Sequence, residues 1–236
     1  MHVDADLLEK FENQLNPAFP EKSSVPPTIL GYGEISTTFS IDDMPGVAFK
    51  RMPPFDHSDQ IIAYKTALDR YCFLLSDKCH IPVSPYSCYE ITNRFEEKIL
   101  YVAQLLLPKT SIGNYILKNG ELNEMEVMVK CATHHLLSLW KWNQDHMPHE
   151  SIALDGQISN WSFQFTDSND CEVVYFDITT PMFRINNKDQ LDTEIFLKSC
   201  PSMLTWLVRW QFLSEVLDRY YDVRLILTDL VANFFK

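Results

Sequence analysis

The sequence predicts an α+β chain in two parts, an antiparallel sheet with little helix followed by a mainly helical region. Three observations predict it. Strand-patterned runs are concentrated between Thr28 and Leu107, joined largely by short turns, which favours antiparallel pairing. Helical periodicity takes over from Glu121. Within that helical part, Trp161 to Phe165 and Glu172 to Phe176 flank the polar stretch 166–170, the pattern of a hairpin. With 236 residues, 46% hydrophobic and 13% aromatic, the chain is long enough to bury such a core.

Taken in order, Asp4 to Leu15 carries Leu7, Leu8, Phe11 and Leu15 on one helical stripe behind an acidic first turn. Asn16 to Pro27 is proline-rich and aperiodic, a connector. Ile29 to Ile41 and Val47 to Met52 read as strands paired about a Met44-Pro45-Gly46 turn, and Ser58 to Leu75 as a helix. Ile81 to Ile91 and Lys98 to Leu107 complete an expected five-stranded antiparallel sheet, so residues 1–107 form the first part and 108–236 the second. Glu121 to Asp145 is a long helix through Met128, Ala132, Leu136 and Leu139. The hairpin region 153–177 follows, then an irregular stretch from Ile178 to Asn187 and helices over 190–198, 201–220 and 223–235.

Composition removes several function classes. A net charge of −12, from 32 acidic against 20 basic residues, lacks the basic footprint of a nucleic-acid binder. No apolar run reaches the ~18 residues of a membrane span, and the acidic start Met1-His2-Val3-Asp4 is unlike a signal peptide, so a cytoplasmic protein without a membrane partner is expected. The six cysteines include no C-x-x-C pair, unlike a disulfide framework or zinc knuckle, and read mostly as buried thiols. His134, His135, His146 and His149 have no recognisable cysteine or acidic partner spacing for zinc and read as satisfied or solvated side chains.

Two constellations carry chemistry. Asp155 and Asn160, with four residues between them, enter the hairpin, and pairing of its strands would return Asp177 beside Asn160, where the two could hold one divalent metal. Upstream, Gly31-x-Gly33 lies in the first strand pattern and Lys50 in V-A-F-K on the next. Glycines let backbone N–H groups approach phosphate oxygens, and a lysine on a neighbouring strand supplies a point charge to them.

The order G-x-G, V-A-F-K, D-x-x-x-x-N and a hairpin-closing Asp resembles the kinase-like phosphotransferases, nearest in style to aminoglycoside and choline kinases. The resemblance covers most of the chain. It implies a two-lobe protein kinase-like fold with a sheet-rich first lobe and a helical second. It implies ATP held by Gly31, Gly33 and Lys50, adenine met by the Leu105 to Leu107 hinge, Mg²⁺ on Asn160 and Asp177, and Asp155 as the base for a hydroxyl on an unknown small-molecule or protein acceptor. Three departures keep an alternative open: Ala153 stands where these families have His two before the Asp, Glu34 lies in the glycine loop, and 58–75 lacks the glutamate that would pair with Lys50. The alternative is a pseudokinase, a nucleotide-binding or protein-interaction module.

Overall fold

The computed structural model describes residues 1–17, 19–32, 37–166, 170–191 and 217–232. The chain is α+β. It separates into two compact units, the first made of Met1–Lys65 and Pro85–Leu106, the second of the described residues within 66–84, 107–191 and 217–232.

The first unit is a five-stranded antiparallel sheet in the order β1-β2-β3-β5-β4, with β1 Thr28–Tyr32, β2 Thr37–Ser40, β3 Val47–Arg51, β4 Tyr86–Thr92 and β5 Lys98–Leu105. Helix α1, Ala5–Gln14, starts where the Asp4 carboxylate accepts from the backbone N–H groups of Asp6 and Leu7 at 3.0 and 3.1 Å. Leu8, Phe11 and Leu15 are buried in one cluster with Phe39, Phe49 and Tyr101. Phe39 lies 5.5 Å from Phe11 and 6.2 Å from Phe49, ring to ring. A polar contact that the apolar stripe does not reveal lies beside this core. Glu12, 4% exposed, accepts from Arg51 Nε at 2.8 Å and Nη2 at 2.7 Å, and from the Tyr101 hydroxyl. The contact is a bidentate arginine pair with its carboxylate also held by a phenol.

In the second unit the part of helix α2 (Ser58–Phe73) beyond Lys65 widens into a π-type turn over Leu74–Lys78. Helices α3, Gly113–Asn119, α4, Leu122–His146, and α5, Val223–Ala232, follow. The β7–β8 hairpin (Trp161–Phe165, Cys171–Tyr175) forms as the alternating runs predict. The stretch 178–187, expected to be irregular, instead contains β9, Phe183–Ile185, which pairs with β6, Glu150–Ile152, and turns through Asn186 and Asn187 into β10, Lys188–Asp189. Both asparagines have left-handed backbones, φ 51° and 59°, the requirement of a two-residue hairpin turn. Strands this short have too few residues to show alternation, and the Asn-Asn pair is their readable sign.

The cysteines also depart from expectation. Cys72 and Cys79 are buried thiols and Cys88 is half-buried, but Cys131 of α4 and Cys171 of β8 are joined as a disulfide across 40 residues. Such a pairing leaves no local spacing to read. Helices expected over 190–198 and 201–220 fall mostly outside the described residues. No described helix is long and apolar enough to cross a membrane.

Candidate functional site

The loop that carries Asp155 is fixed by what surrounds it. Asn143, buried on α4, donates its amide to the Ile152 carbonyl at 2.7 Å and accepts from the Ile152 N–H at 2.8 Å, so one side chain replaces two ladder bonds at the end of β6. One residue on, the Ala153 N–H reaches the Met182 carbonyl at 2.9 Å and the Tyr71 hydroxyl donates to the Ala153 carbonyl at 2.8 Å. Arg70 pairs with Glu150 at 2.6 Å at the other end of the strand. Residues 151–154 are all buried. They deliver Asp155, half-buried, to the end of a rigid element.

The backbone beyond Asp155 runs through a close approach. A Cβ on Gly156 would lie 2.4 Å from Ile226 Cγ2 of α5, so this position admits no larger residue without movement. Asp155 Oδ1 accepts from the Gln157 N–H at 3.0 Å and Oδ2 from the Gln157 side-chain amide at 3.0 Å. A 3₁₀ turn, Ile158–Asn160, then leads into β7, and Gly113 of α3 lets the Ile158 carbonyl approach to where its own Cβ would be.

The hairpin register fixes the backbone on either side of Asn160 and Asp177. Trp161 pairs with Tyr175, and the Phe176 N–H donates to the Asn160 carbonyl at 3.1 Å, which leaves Asp177 one residue beyond that bond. The Asn160 amide nitrogen lies 3.4 Å from the Asp155 carbonyl oxygen. Strand β8 is held on its other side as well, since Tyr175 bonds Pro82 and Ser84 through its backbone at 2.8 and 2.9 Å. The phenols report the charge gathered here. Burial pushes Tyr175 well above the ordinary tyrosine range, with Tyr71, Asp177 and Asp155 adding to the rise, and Tyr71 is raised by burial, then by Cys72 and Asp177.

The donors are oxygens, which suits a hard cation such as Mg²⁺. Asp155 and Asp177 belong to no group of three His, Cys, Asp or Glu ligands among the described residues, so a cation held by Asn160 and Asp177 would draw its remaining oxygens from water or phosphate. His134, His135, His146 and His149 also join no such group among the described residues. His135 stacks on Trp161 at 6.2 Å and His146 on Trp142 at 4.1 Å.

The other constellation lies in the first unit. Thr38 of β2 pairs with Gly31 on one side and Lys50 on the other, so the three lie in line across the sheet. Two strand spacings put Gly31 and Lys50 ~10 Å apart along that line. Gly31 sits at a register shift in β1, and among the described residues nothing lies within 4 Å of where its Cβ would be. Lys50 is 8% exposed, more enclosed than a lysine reaching into open solvent, on the face opposite Phe49. Gly33 and Glu34 lie outside the described residues. Leu105 is the exposed last residue of β5, paired with Val47, and Leu107 is half-buried just beyond.

Sequence reading did not find Asn143, Tyr71 or Gln157. A buried Asn in a helical stripe was the one visible sign, at Asn143. Tyr71 sits on the apolar side of α2 and looks like core until its hydroxyl is followed.

A search of curated proteins finds no match. Among solved structures, WaaP in complex with acyl carrier protein is similar, 12% identical over 100% of this chain and 95% of that one, with a TM-score of 0.40. Residues 25–236 match the family described as "Family of unknown function (DUF6206)", and the chain belongs to that family.

Proposed function

We propose that this chain is an ATP- and Mg²⁺-dependent phosphotransferase acting on a hydroxyl of a small-molecule acceptor. The observation that carries the reading is the hairpin register, with the Phe176 N–H on the Asn160 carbonyl one residue before Asp177 and the Asn160 amide 3.4 Å from the Asp155 carbonyl. The linear order of motifs and the Gly31-Thr38-Lys50 line support it. In this reading Asp155 orients the acceptor hydroxyl and takes its proton, and Lys50 with the backbone at Gly31 and Gly33 holds phosphate oxygens. Asn160 and Asp177 would hold Mg²⁺, which supplies neutralisation of phosphate charge when bound. Leu105 and Leu107 would meet the adenine.

A second reading, a nucleotide-binding or interaction module without turnover, is favoured by Gln157, which occupies both carboxylate oxygens of Asp155. A carboxylate has about four lone-pair sites, so two bonds leave room for a hydroxyl. The experiment that separates the readings is a thermal-shift series with ATP, ADP and GTP, with and without Mg²⁺, paired with turnover on hydroxyl acceptors and water. For the enzyme, Asp155→Asn keeps Mg·ATP affinity within a few fold and lowers turnover by ~10²-fold or more. Equal background rates in parent and variant, both still binding Mg·ATP, select the module. Absence of any nucleotide stabilisation defeats the enzyme and the nucleotide-binding module and leaves the interaction module.

A further inference from the structure

Away from Asp155, the sulfurs of Cys131 and Cys171 and a carboxylate oxygen of Asp170 lie within 4.8 Å of one another. Cys131 comes from α4, and Asp170 with Cys171 from the start of β8, so the donors arrive from two elements whose relation is set by the packed hairpin. We propose that in its reduced state this cluster is a binding site for a thiophilic divalent cation of the Zn²⁺ class. Zn²⁺ bonds thiolate at ~2.3 Å and carboxylate at ~2.0–2.2 Å, so two donors on one ion lie at most ~4.6 Å apart. The Asp170 oxygen, 3.7 Å from Cys131 Sγ, already meets that limit, and the two sulfurs, bonded to each other in the oxidised form, part on reduction to admit the ion.

Other features of the site agree with a cation rather than a passive crosslink. Both cysteines are half-buried, whereas Cys79 is enclosed and its thiol is pushed up to about 12 by burial. A half-buried pair is open to an ion from water. Asp170 is exposed, and its Oδ1 lies 3.7 Å from Cys131 Sγ and accepts from the Cys171 N–H at 2.8 Å, a bond that orients the carboxylate over the sulfurs. Two soft thiolates with one carboxylate suit Zn²⁺ and discriminate against Mg²⁺ and Ca²⁺. Three protein ligands leave a fourth tetrahedral position for water.

The chemistry balances. Two molecules of a monothiol reduce the Cys131–Cys171 bond, one hydrogen goes to each protein sulfur, and the two monothiols leave joined as their own disulfide. The cation then displaces one proton from each protein thiol. Exchange of the two protein thiols with the disulfide of that monothiol, which is reduced back to two monothiols, reverses the sequence, releases the cation and closes the site.

The test uses the full chain, reduced with excess monothiol, freed of metal and titrated with Co²⁺ and then Zn²⁺. A single Co²⁺ binds with thiolate-to-cobalt charge-transfer absorption, Zn²⁺ displaces it, and Zn²⁺ shields the Cys131 and Cys171 peptides from iodoacetamide. Cys131→Ser and Cys171→Ser abolish uptake, and Cys88→Ser leaves it unchanged. Asp170→Asn weakens it by at least the roughly 10- to 100-fold that loss of even an outer-shell partner costs. The alkylation readout in the parent decides the matter if the cysteine variants do not fold. The proposal is overturned if the reduced chain takes up neither ion, if both serine variants retain uptake, if Zn²⁺ leaves alkylation at the two cysteines unchanged, or if the pair stays oxidised under the monothiol.

Discussion

Asp177 and Lys50 carry the proposed roles that single substitutions test most directly. Asp177 stands after the last ladder residue of β8, so Asp177→Asn removes one negative charge without touching the hairpin bonds. The expected result is loss of Mg²⁺-dependent nucleotide stabilisation, read by thermal shift against the variant's own nucleotide-free melting temperature. Mg·ATP binding as tight as the parent's refutes the metal role. Lys50 needs more care because it is 8% exposed, and its hydrocarbon stem contributes to packing. Truncation to Ala would mix a packing loss with the loss of charge. Lys50→Met keeps the stem and confines the change to the ammonium, so nucleotide binding should weaken, with the urea midpoint measured alongside to separate any loss of fold. A variant that binds ATP unchanged shows that Lys50 is structural.

At the scale of elements, two contacts determine whether helices stay on their partners. Glu12 anchors α1 to the sheet, and its loss strands Arg51, whose side chain is only 14% exposed. Glu12→Ala should cost ~3–5 kcal/mol, the range for breaking one partner of a buried pair, measured by urea unfolding. A loss below ~1 kcal/mol would mean that water reaches Arg51 and the pair behaves as a surface one. In the second unit Gly156 and Ile226 define how closely α5 approaches the Asp155 loop. Gly156→Ala should destabilise by ~1–3 kcal/mol through overpacking. Ile226→Ala in the same background should recover part of that, a coupling visible in a double-mutant cycle. Additive effects would show that the close approach is not what limits this position.

For the whole molecule, pH offers a readout of the core. Burial lowers the pKa of His135, with repulsion from His134 adding to the shift. The unfolded chain therefore binds a proton that the native state refuses, and stability is full above the unfolded value of ~6.5 and falls as pH drops through it. The loss is at most ~1.4 kcal/mol per pH unit for this one group. The urea midpoint of the parent should fall between pH 7.5 and 5.5 more steeply than that of His135→Phe, which keeps a ring against Trp161. Parallel slopes would show that His135 takes up a proton without penalty.

What the sequence determined by itself is local. The stripe of Leu8, Phe11 and Leu15 behind Asp4 suffices for α1, and the alternating runs on either side of 166–170 suffice for β7 and β8, because periodicity and capping act over one or two turns of chain. The hairpin's register, with the Phe176 N–H on the Asn160 carbonyl, follows from those runs. Tertiary structure decided the rest. It paired β6 with β9 across some thirty residues, turned Asn143 and Tyr71 from apparent core into the supports of residues 152 and 153, buried Glu12 against Arg51, and set Cys131 beside Cys171 and Asp170. Each of these joins side chains distant in the chain, and a polar group's partner is fixed by which elements pack together, information that no window of neighbouring residues contains.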